Sequence, residues 1–281
     1  MPQIVLITGC STGIGRDLAQ RLTQAGYTVV ATARHAETLN DLQAALKLSL
    51  DVSQPDSVNA AVAHTIQQFG RIDVLVNNAG YAVRGALEEV PEEQIRQIFD
   101  VNVFGVLRMV RAVVPHMRKQ GAGHIINLSS SSGKLVNPAN GVYSATKFAL
   151  KALSAALRLE LTPFGIQVVV VNPGATKTHF NETAHAHAQD ILSNSASPYQ
   201  PLYQKFDRFM ATRHNQAHGP EIVSDVIQQS IETRRPKACY LVAVSLPERL
   251  TLLLRDFIWD PVMRRVLKIE PPKGKSDEQK I

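Results

Sequence analysis

Short apolar runs rich in Val, Ile and Leu alternate along the chain with longer segments in which apolar residues recur every three or four positions. The short runs are typical of parallel strands buried on both faces, and the longer pattern is typical of amphipathic helices. Their alternation predicts one large α/β domain with a parallel sheet. The predicted strands cover residues 3–8, 27–33, 47–50, 74–76, 125–128, 166–171 and 239–244.

Predicted helices fill most of the intervals between these strands. Together they predict a main domain over residues 1–245, followed by a helical extension over 246–270 and a polar, disordered tail over 271–281. The predicted helices of the main domain cover residues 14–26, 36–46, 55–69, 99–119, 142–165 and 221–233.

The helical extension carries an apolar face, and Asp260 followed by Pro261 predicts the start of a second short helix within it. The face could cover a pocket or join a dimer. Because basic residues flank it, it could also make a peripheral contact with a membrane surface. Packing on its own domain is the commonest of these arrangements. The apolar residues concerned are Leu250, Leu253, Leu254, Phe257 and Ile258, followed by Val262, Val266 and Leu267.

Composition excludes several classes of protein. The chain has 281 residues, 44% hydrophobic and 19% charged, as expected for a globular domain rather than a disordered or fibrous chain. The net charge of +6 comes from scattered basic residues without a nucleic-acid motif, which predicts no nucleic-acid partner. No apolar run reaches the ~18 residues of a membrane span and the first strand leaves no room for a signal peptide, so we predict a cytoplasmic protein. Cys10 and Cys239 fit no disulfide framework or metal-ligand spacing and are predicted to be reduced.

Tyr143 and Lys147 are four residues apart in a predicted helix, so their side chains lie on the same face. A phenol has a pKa near 10 and is a poor base at neutral pH. A cation about 4.5 Å away contributes roughly 4 kcal/mol at an effective dielectric of about 20, which would lower that pKa by about three units. Ser130 follows a predicted strand, where open α/β sheets bind ligands. A surface aromatic and a solvated lysine are the alternative interpretation of the pair.

Gly9, Gly13 and Gly15 lie between the first predicted strand and the helix that follows it. Glycines at such a junction let the backbone approach a pyrophosphate, which the positive end of the helix dipole then stabilises. The spacing is TGxxxGxG rather than the common dinucleotide fingerprint GxGxxG. The junction predicts a dinucleotide site, with a glycine-rich turn that binds nothing as the alternative.

Four motifs occur in a fixed order: TGCSTGIG at residues 8–15, NNAG at 77–80, Ser130, and YSATK at 143–147. Together they resemble the short-chain dehydrogenase/reductase family over residues 3–178, and they are most similar to its 17β-hydroxysteroid and retinol dehydrogenase branch. The resemblance implies a Rossmann-like, doubly wound sheet and hydride transfer between a nicotinamide and the carbonyl or secondary alcohol of a lipophilic substrate. It also implies a homodimer or homotetramer.

The resemblance assigns an expected role to each matching residue. Tyr143 exchanges a proton with the substrate oxygen, Ser130 stabilises the developing alkoxide, and Lys147 lowers the Tyr143 pKa and holds the ribose hydroxyls. Asn102 bends its helix and holds a water that links Lys147 to solvent, with a plain polar residue as the alternative. The expected cofactor contacts are Gly9, Ser11, Thr12, Gly13, Ile14, Gly15, Arg34, Asp51, Val52, Asn78, Ala79, Gly80, Tyr143, Lys147, Pro173, Gly174, Thr176 and Thr178.

The end of the second predicted strand indicates which nicotinamide cofactor is preferred. Cofactors without a 2′-phosphate are usually held there by an acidic residue that accepts a hydrogen bond from the ribose. This strand ends with Ala33 and Arg34, and a guanidinium favours phosphate through paired hydrogen bonds. We therefore predict NADP(H); stacking of Arg34 on the adenine, which would serve either cofactor, is the alternative.

Three further expectations concern neighbouring segments. The resemblance places Asp51 beside the adenine, although a helix N-cap before Gln54 is also possible, and it gives Asn77 a sheet-bracing role. Residues 179–218 lose the family's pattern and mix polar with aromatic residues, which predicts a substrate loop that forms a lid over an apolar substrate. The histidines there, His179, His185 and His187, lack the carboxylate or Cys that would complete a helical metal site, so we predict no metal and solvent-facing side chains.

Two functions from other classes stay open on the sequence alone. The chain could be a regulatory protein that senses NADP(H) without catalysis, or a lipid-surface protein in which the extension matters more than the pocket. The presence of Ser130, Tyr143 and Lys147 weighs against a sensor, because a sensor does not need all three.

Overall fold

The computed structural model of the protein describes residues 2–215, 217–244 and 255–268. Within these residues, seven strands form one sheet in which every neighbouring pair is parallel. The strands are β1 (Ile4–Ile7), β2 (Thr28–Ala33), β3 (Leu46–Ser49), β4 (Val74–Asn77), β5 (Gly123–Leu128), β6 (Ile166–Pro173) and β7 (Cys239–Val242). Their order across the sheet is β3-β2-β1-β4-β5-β6-β7.

Helices cover both faces of the sheet, because the central strands are buried on both sides. One buried cluster joins Leu75 of the sheet to Met109 and Leu150, and another joins Val29 to Leu18 and Ile227. The helices are α1 (Gly13–Gln24), α2 (Pro55–Phe69), α3 (Glu92–Phe99), α4 (Val106–Gln120), α5 (Gly141–Leu161), α6 (Phe180–Ala186), α7 (Gln189–Leu192), α8 (Gln200–Asn215), α9 (Glu221–Glu232) and α10 (Arg255–Leu267). In the described part of the chain, no helix is long and apolar enough to cross a membrane.

The strand order reverses between β1 and β4, since the chain first builds outward to β3 and then returns to the other side of β1. Crossovers on the two sides of this point leave a crevice at the carboxyl ends of the strands, which is where open α/β sheets bind ligands. The prediction of a Rossmann-like, doubly wound parallel sheet is therefore confirmed.

Amide side chains hold the central strands and the glycine turn in place. The Nδ2 group of Asn77 donates to Oδ1 of Asn127 (2.8 Å), whose own Nδ2 donates to Ser154 on α5 (2.9 Å). Next in the chain, Asn78 donates to the carbonyl oxygens of Thr8 and Gly9, both at 2.9 Å. The predicted bracing role of Asn77 is confirmed, and Asn78 extends that bracing to the turn between β1 and α1.

The predicted helix over residues 36–46 is wrong. A single 3-10 turn, Ala36–Leu39, occurs there, and β3 begins at Leu46. Tertiary contacts take the carbonyl oxygens that a continuing helix would need: Arg16 donates to Thr38 (3.3 Å) and Lys47 donates to Asn40 (2.9 Å). A polar pair that favours turns, at residues 40–41, also weakens the helix.

The helical extension differs from its prediction at Pro261. This residue lies inside α10 and does not begin a new helix. Met263 and Leu267 are buried, so the helix is held by packing on the domain, and Lys205 of α8 donates to the carbonyl oxygen of Lys268 (2.9 Å). Val262 and Val266 are exposed, so of the last three residues of the predicted apolar face only Leu267 packs on the domain. Of the predicted apolar face, Leu250, Leu253 and Leu254 lie outside the described residues, and so do the side chains of Phe257 and Ile258.

Residues 179–218 contain three helices, α6 to α8, that the sequence analysis did not anticipate. Their aromatic residues supply a third buried cluster, in which Tyr203 and Phe206 pack with Val83 and Tyr143. The hydroxyl of Tyr203 accepts a hydrogen bond from the backbone of Ala86 (2.9 Å). The segment is therefore a packed helical layer anchored to the loop after β4.

We expect Gly15→Ala to destabilise the fold. An added Cβ would collide with the carbonyl oxygen of Gly9 and the side-chain amide of Asn78, although alanine is normally the better helix former. The unfolding free energy, measured in urea, should fall by about 1–3 kcal/mol. Gly141→Ala is the matched control, because there the added Cβ meets only the side chain of Leu87, which is mostly exposed and can move aside. Equal unfolding free energies of the two variants would contradict the requirement for a residue without a side chain at Gly15.

Candidate active site

A cavity of about 690 Å³ opens at the carboxyl ends of the central strands. The glycine turn lines one part of it, and α6, α8 and α10 line the other through Phe180, Met210 and Trp259. Ser11, Gly15 and Asn102 are predicted site residues that do not line it. Those that do are Gly9, Thr12, Gly13, Ile14, Arg34, Asp51, Val52, Asn78, Ala79, Gly80, Ser130, Tyr143, Lys147, Pro173, Gly174, Thr176 and Thr178.

The fold brings Ser130, Tyr143 and Lys147 together at the centre of this cavity. Ser130 follows β5, and its hydroxyl forms a hydrogen bond with the Tyr143 phenol. Tyr143 lies in the first turn of α5 and Lys147 one turn later, with 7% and 5% of their surfaces exposed. The Nζ atom of Lys147 is 5.7 Å from the Tyr143 ring centroid and donates to the carbonyl oxygen of Leu128 (2.9 Å). The shared helix face that the spacing predicts is therefore present.

The predicted lowering of the Tyr143 pKa by Lys147 is wrong for the protein alone. Burial raises the pKa of Tyr143 to about 12, with the Ser130 hydrogen bond acting in the opposite direction. Burial also lowers the pKa of Lys147 to about 8. The same desolvation acts against both charged forms, and it outweighs the attraction between phenolate and ammonium that the spacing argument considered alone.

Asn102 lies in a π-helical stretch, Asp100–Gly105, between α3 and α4, and the expected bend of the helix stays a prediction. Its fully buried amide makes a two-way contact with the backbone of Tyr81: Oδ1 accepts from the N–H (3.1 Å), and Nδ2 donates to the C=O (2.8 Å). The same Nδ2 donates to the Thr146 hydroxyl (3.1 Å). These contacts join α5 to the loop after β4, and the water relay stays a prediction.

Two of the predicted cofactor contacts, Ser11 and Gly15, do not line the cavity and lie within the glycine turn and the start of α1 instead. Gly15 is buried in α1, where the absence of a side chain lets the helix approach Gly9. The carbonyl oxygen of Ser11 accepts a hydrogen bond from Arg16 (3.4 Å). In contrast, Gly9 and Gly13 have φ angles of 74° and 60°, which glycine adopts without strain. Thr12 precedes the first turn of α1, which contains no acidic residue.

Arg34 and Asp51 lie on the side of the cavity next to β2 and β3. Arg34 is exposed, and its carbonyl oxygen accepts a hydrogen bond from the Ser49 hydroxyl (2.7 Å). Asp51 uses Oδ1 to accept hydrogen bonds from the N–H and hydroxyl of Ser53 (2.9 and 2.7 Å). The alternative role of Asp51 as a helix N-cap is wrong, because Gln54 occupies that position before α2.

Tertiary packing brings three further residues, which the local sequence does not predict as site residues, to the cavity or against its wall. The Thr8 hydroxyl accepts hydrogen bonds from the N–H groups of Asn78 and Ala79 (3.0 Å each) and so shapes the cavity wall. Phe180 packs on Tyr143, with 5.5 Å between ring centroids. Trp259 reaches the cavity from α10 and donates to the carbonyl oxygen of Val136.

The three histidines considered as metal ligands are exposed, whereas one of the two cysteines is buried. His179, His185 and His187 are exposed, as predicted, although His179 and His187 also line the cavity rim. Among the described residues, no group of three or more His, Cys, Asp or Glu side chains could hold a metal ion. Both cysteines are free, and burial raises the pKa of the Cys10 thiol to about 12, which keeps it protonated.

Comparison with known proteins identifies the family. The model of the short chain dehydrogenase family matches residues 3–189, which is more than half of the chain. The protein belongs to the short-chain dehydrogenase/reductase family. It is therefore an oxidoreductase that acts on CH–OH or C=O groups and binds a nicotinamide cofactor.

Two similar sequences and one similar structure match most of the chain. An uncharacterized oxidoreductase of Bacillus subtilis, YusZ, is 34% identical over 94% of this chain and 98% of its own. Human 17-beta-hydroxysteroid dehydrogenase type 1 is 34% identical over 92% of this chain and 81% of its own. A short-chain dehydrogenase structure from Streptomyces avermitilis has 32% identity and a TM-score of 0.77, covering 94% and 97% of the two chains.

Solved relatives contain both forms of the cofactor. A Burkholderia phymatum enzyme in complex with NAD has 27% identity and a TM-score of 0.76, and covers 93% of this chain and 95% of its own. A metagenomic oxidoreductase in complex with NADP has 26% identity and a TM-score of 0.67, with 87% and 98% covered. Similarity of fold therefore does not choose between NAD and NADP.

The buried Lys147 ammonium predicts a pH dependence of stability. Because its pKa is lowered to about 8, the unfolded chain binds more protons than the folded one between pH 8 and pH 10, and the unfolding free energy rises with pH in this window. From pH 8 to pH 10, the unfolding free energy of wild type should rise by about 2 kcal/mol relative to that of Lys147→Met. Above it, the raised pKa of Tyr143 acts in the opposite direction.

Urea unfolding at several pH values measures this difference. Lys119→Met is the control, because Lys119 is exposed at the end of α4. A constant difference in unfolding free energy between wild type and Lys147→Met from pH 8 to pH 10 would contradict the desolvation of this amine.

Proposed function

We propose that the protein is an NADP(H)-dependent oxidoreductase that interconverts a carbonyl and a secondary alcohol on a lipophilic substrate. The observation that carries the proposal is the convergence of Ser130, Tyr143 and Lys147 in the cavity into which the glycine turn also opens. A site built only to sense a cofactor would need the turn but not the three side chains. The proposal includes a homodimer or homotetramer, as the family resemblance implies, and a cytoplasmic location, which the sequence predicts.

The residues around the turn fit a nicotinamide dinucleotide. Gly9 and Gly13 leave the backbone open, and the N-terminus of α1 offers N–H groups that favour a diphosphate. Val52 lines the wall beside Arg34, and Thr176 and Thr178 line the opposite side, next to Pro173. The cofactor would supply or accept the hydride.

The chain's own residues would then handle the proton and the oxygen. In reduction, Tyr143 donates its phenolic proton to the substrate oxygen, and its raised pKa keeps that proton in place at neutral pH. Ser130 donates a hydrogen bond to the oxygen as negative charge develops. Lys147 lies behind Tyr143 and places a positive charge next to the phenolate that forms.

A lipophilic substrate is favoured by the side chains facing Tyr143. Apolar and aromatic side chains from several segments contribute to this wall, among them Phe180 and Met210 of residues 179–218 and Trp259 of α10. The similarity to a 17-beta-hydroxysteroid dehydrogenase supports the same substrate class. The apolar lining residues are Leu135, Phe180, Met210, Val244 and Trp259.

A preference for NADP(H) is favoured by the charges at the end of β2. Arg34 lines the cavity beside Ala33, which is small and buried, and the nearby Asp51 carboxylate already accepts two hydrogen bonds from Ser53. The 2′-phosphate adds close to two negative charges, which a guanidinium binds with paired hydrogen bonds. No acidic side chain stands at the position where it would repel this phosphate.

Tyr143→Phe should abolish turnover while NADP(H) affinity stays nearly unchanged, because the variant loses only the proton donor. An NADPH-consumption screen over ketones, aldehydes, quinones and steroids supplies the substrate, and cofactor fluorescence supplies the affinity. Tyr81→Phe is the matched control, because Tyr81 also lines the cavity but lies outside the proposed proton path. A Tyr143→Phe enzyme that keeps a tenth of the wild-type rate would disprove the assignment.

Arg34→Ala should lower kcat/KM for NADPH about ten- to a hundredfold and affect NADH far less, since one charge-assisted contact contributes roughly 1.5–3 kcal/mol. Ala33→Asp should reverse the preference by repelling the phosphate. Steady-state kinetics with both cofactors test the two variants. Equal losses for NADPH and NADH in Arg34→Ala would show that Arg34 stacks on the adenine instead.

A further inference from the structure

Arg84 is a buried arginine in the wall of the cavity. It lies in the loop after β4, with 6% of its surface exposed. Its Nη2 atom donates to Oδ1 of Asn181 on α6 (2.8 Å), and the guanidinium carbon lies 5.7 Å from the ring centroid of Phe206 on α8. Aromatic and amide contacts thus hold the guanidinium between the loop and the two helices.

Among the described residues, no carboxylate lies within ion-pair distance of Arg84. Burial lowers the pKa of Arg84, and the more distant Asp207 raises it again in part. A buried cation without a close counter-ion is costly for the folded protein, and such groups are usually paired.

The cavity does not supply a counter-ion from its own lining. Asp51 and Asp100 are the carboxylates among the described lining residues. Asp51 accepts hydrogen bonds from Ser53, and Asp100 forms an ion pair with Arg108 at 2.6 Å. The charged or titratable groups that residues 179–218 contribute to the cavity lining are also basic: Arg213, His179, His187 and His214.

We propose that Arg84 binds a carboxylate group of the substrate, so that the enzyme acts on oxo- or hydroxycarboxylates with an apolar segment between the two functional groups. A planar guanidinium matches a carboxylate through two parallel hydrogen bonds, which favours this anion. The inference rests on the proposed function and narrows its substrate class.

The neighbours of Arg84 relate the carboxylate site to the reacting centre. Asn181, the hydrogen-bond partner of Arg84, follows Phe180, whose ring packs on Tyr143 at 5.5 Å. The carboxylate and the reacting carbonyl would therefore lie on either side of Phe180. This arrangement requires a substrate whose two polar ends are separated by carbon atoms that pack on an aromatic ring.

The alternative role for Arg84 is purely structural. Asn181 accepts from Arg84 and its Nδ2 lies 3.4 Å from Nδ1 of His214, so the three residues also connect α6 and α8 to the loop. A brace of this kind would affect acidic and neutral substrates equally. A carboxylate receptor would affect acidic substrates alone.

The test compares oxocarboxylates of increasing ketone-to-carboxylate spacing with their methyl esters, using NADPH consumption by the full-length enzyme. Wild type should prefer the acid at one spacing, and Arg84→Gln should lower kcat/KM for that acid about ten- to a hundredfold, mainly through KM, with little change for the ester. Arg84→Lys, which keeps the charge but not the planar fork, should keep part of the preference.

Two control variants separate the roles. Arg208→Gln removes an exposed charge from α8 and should change neither series. Asn181→Ala disconnects Arg84 from α6 but leaves the cation, so the ratio of acid to ester should survive. Equal losses for acid and ester in Arg84→Gln, or equal rates for both in wild type at every spacing, would overturn the proposal.

A binding measurement decides the question without turnover. Calorimetry with a saturated alkanoate and its primary amide should show binding of the alkanoate alone by wild type in the presence of NADP, and equal binding of both would overturn the inference. This arm also applies if Arg84→Gln does not fold. Failure of wild type to reduce either series would contradict the proposed function instead, and alkanoate binding would still test Arg84.

Discussion

The buried ammonium group of Lys147 is the constraint on which the arrangement of the site depends. Its Nζ atom donates a hydrogen bond to the carbonyl oxygen of Leu128 at the end of β5 (2.9 Å), which fixes α5 against the sheet. Close packing continues around it: a Cβ at Gly133 would stand 2.6 Å from Ser129 Oγ, and one at Gly80 would stand 2.9 Å from Asn102 Oδ1. No ion pair between described residues includes Lys147, so this part of the chain supplies no carboxylate partner for its charge.

Desolvation therefore controls both titrating groups of the site. It keeps the phenol of Tyr143 protonated and weakens the proton affinity of Lys147. A site in this state holds a proton that it can donate, beside a cation that would stabilise the anion left behind. Since opposite charges attract more strongly where water is excluded, the closely packed wall that raises the cost of charging each group also strengthens their interaction once a phenolate forms.

How much the sequence predicts depends on how local the cause is. The strands, the glycine turn and the Tyr143–Lys147 face follow from periodicity and spacing, and the structure places nearly all the predicted contacts around one cavity. The predicted helix over residues 36–46 does not form. Its carbonyl oxygens accept hydrogen bonds from Arg16, which is distant in sequence, and from Lys47, which follows the segment directly. The Tyr143 pKa was wrong because spacing gives a distance between charges but not the burial of either.

The lid region shows the same limit and explains why Arg84 escaped notice. The local sequence does not distinguish Arg84 as a site residue, since a single arginine in a loop is usually solvated. Its burial depends on Asn181 and Phe206, which are more than ninety residues later in the chain. Arg34, Lys147 and Arg84 thus line one cavity from three separate segments, because parallel strands deliver the chain repeatedly to the same edge of the sheet. On the proposals made above, a cofactor phosphate and a substrate carboxylate would each meet a cation from a different segment of the chain.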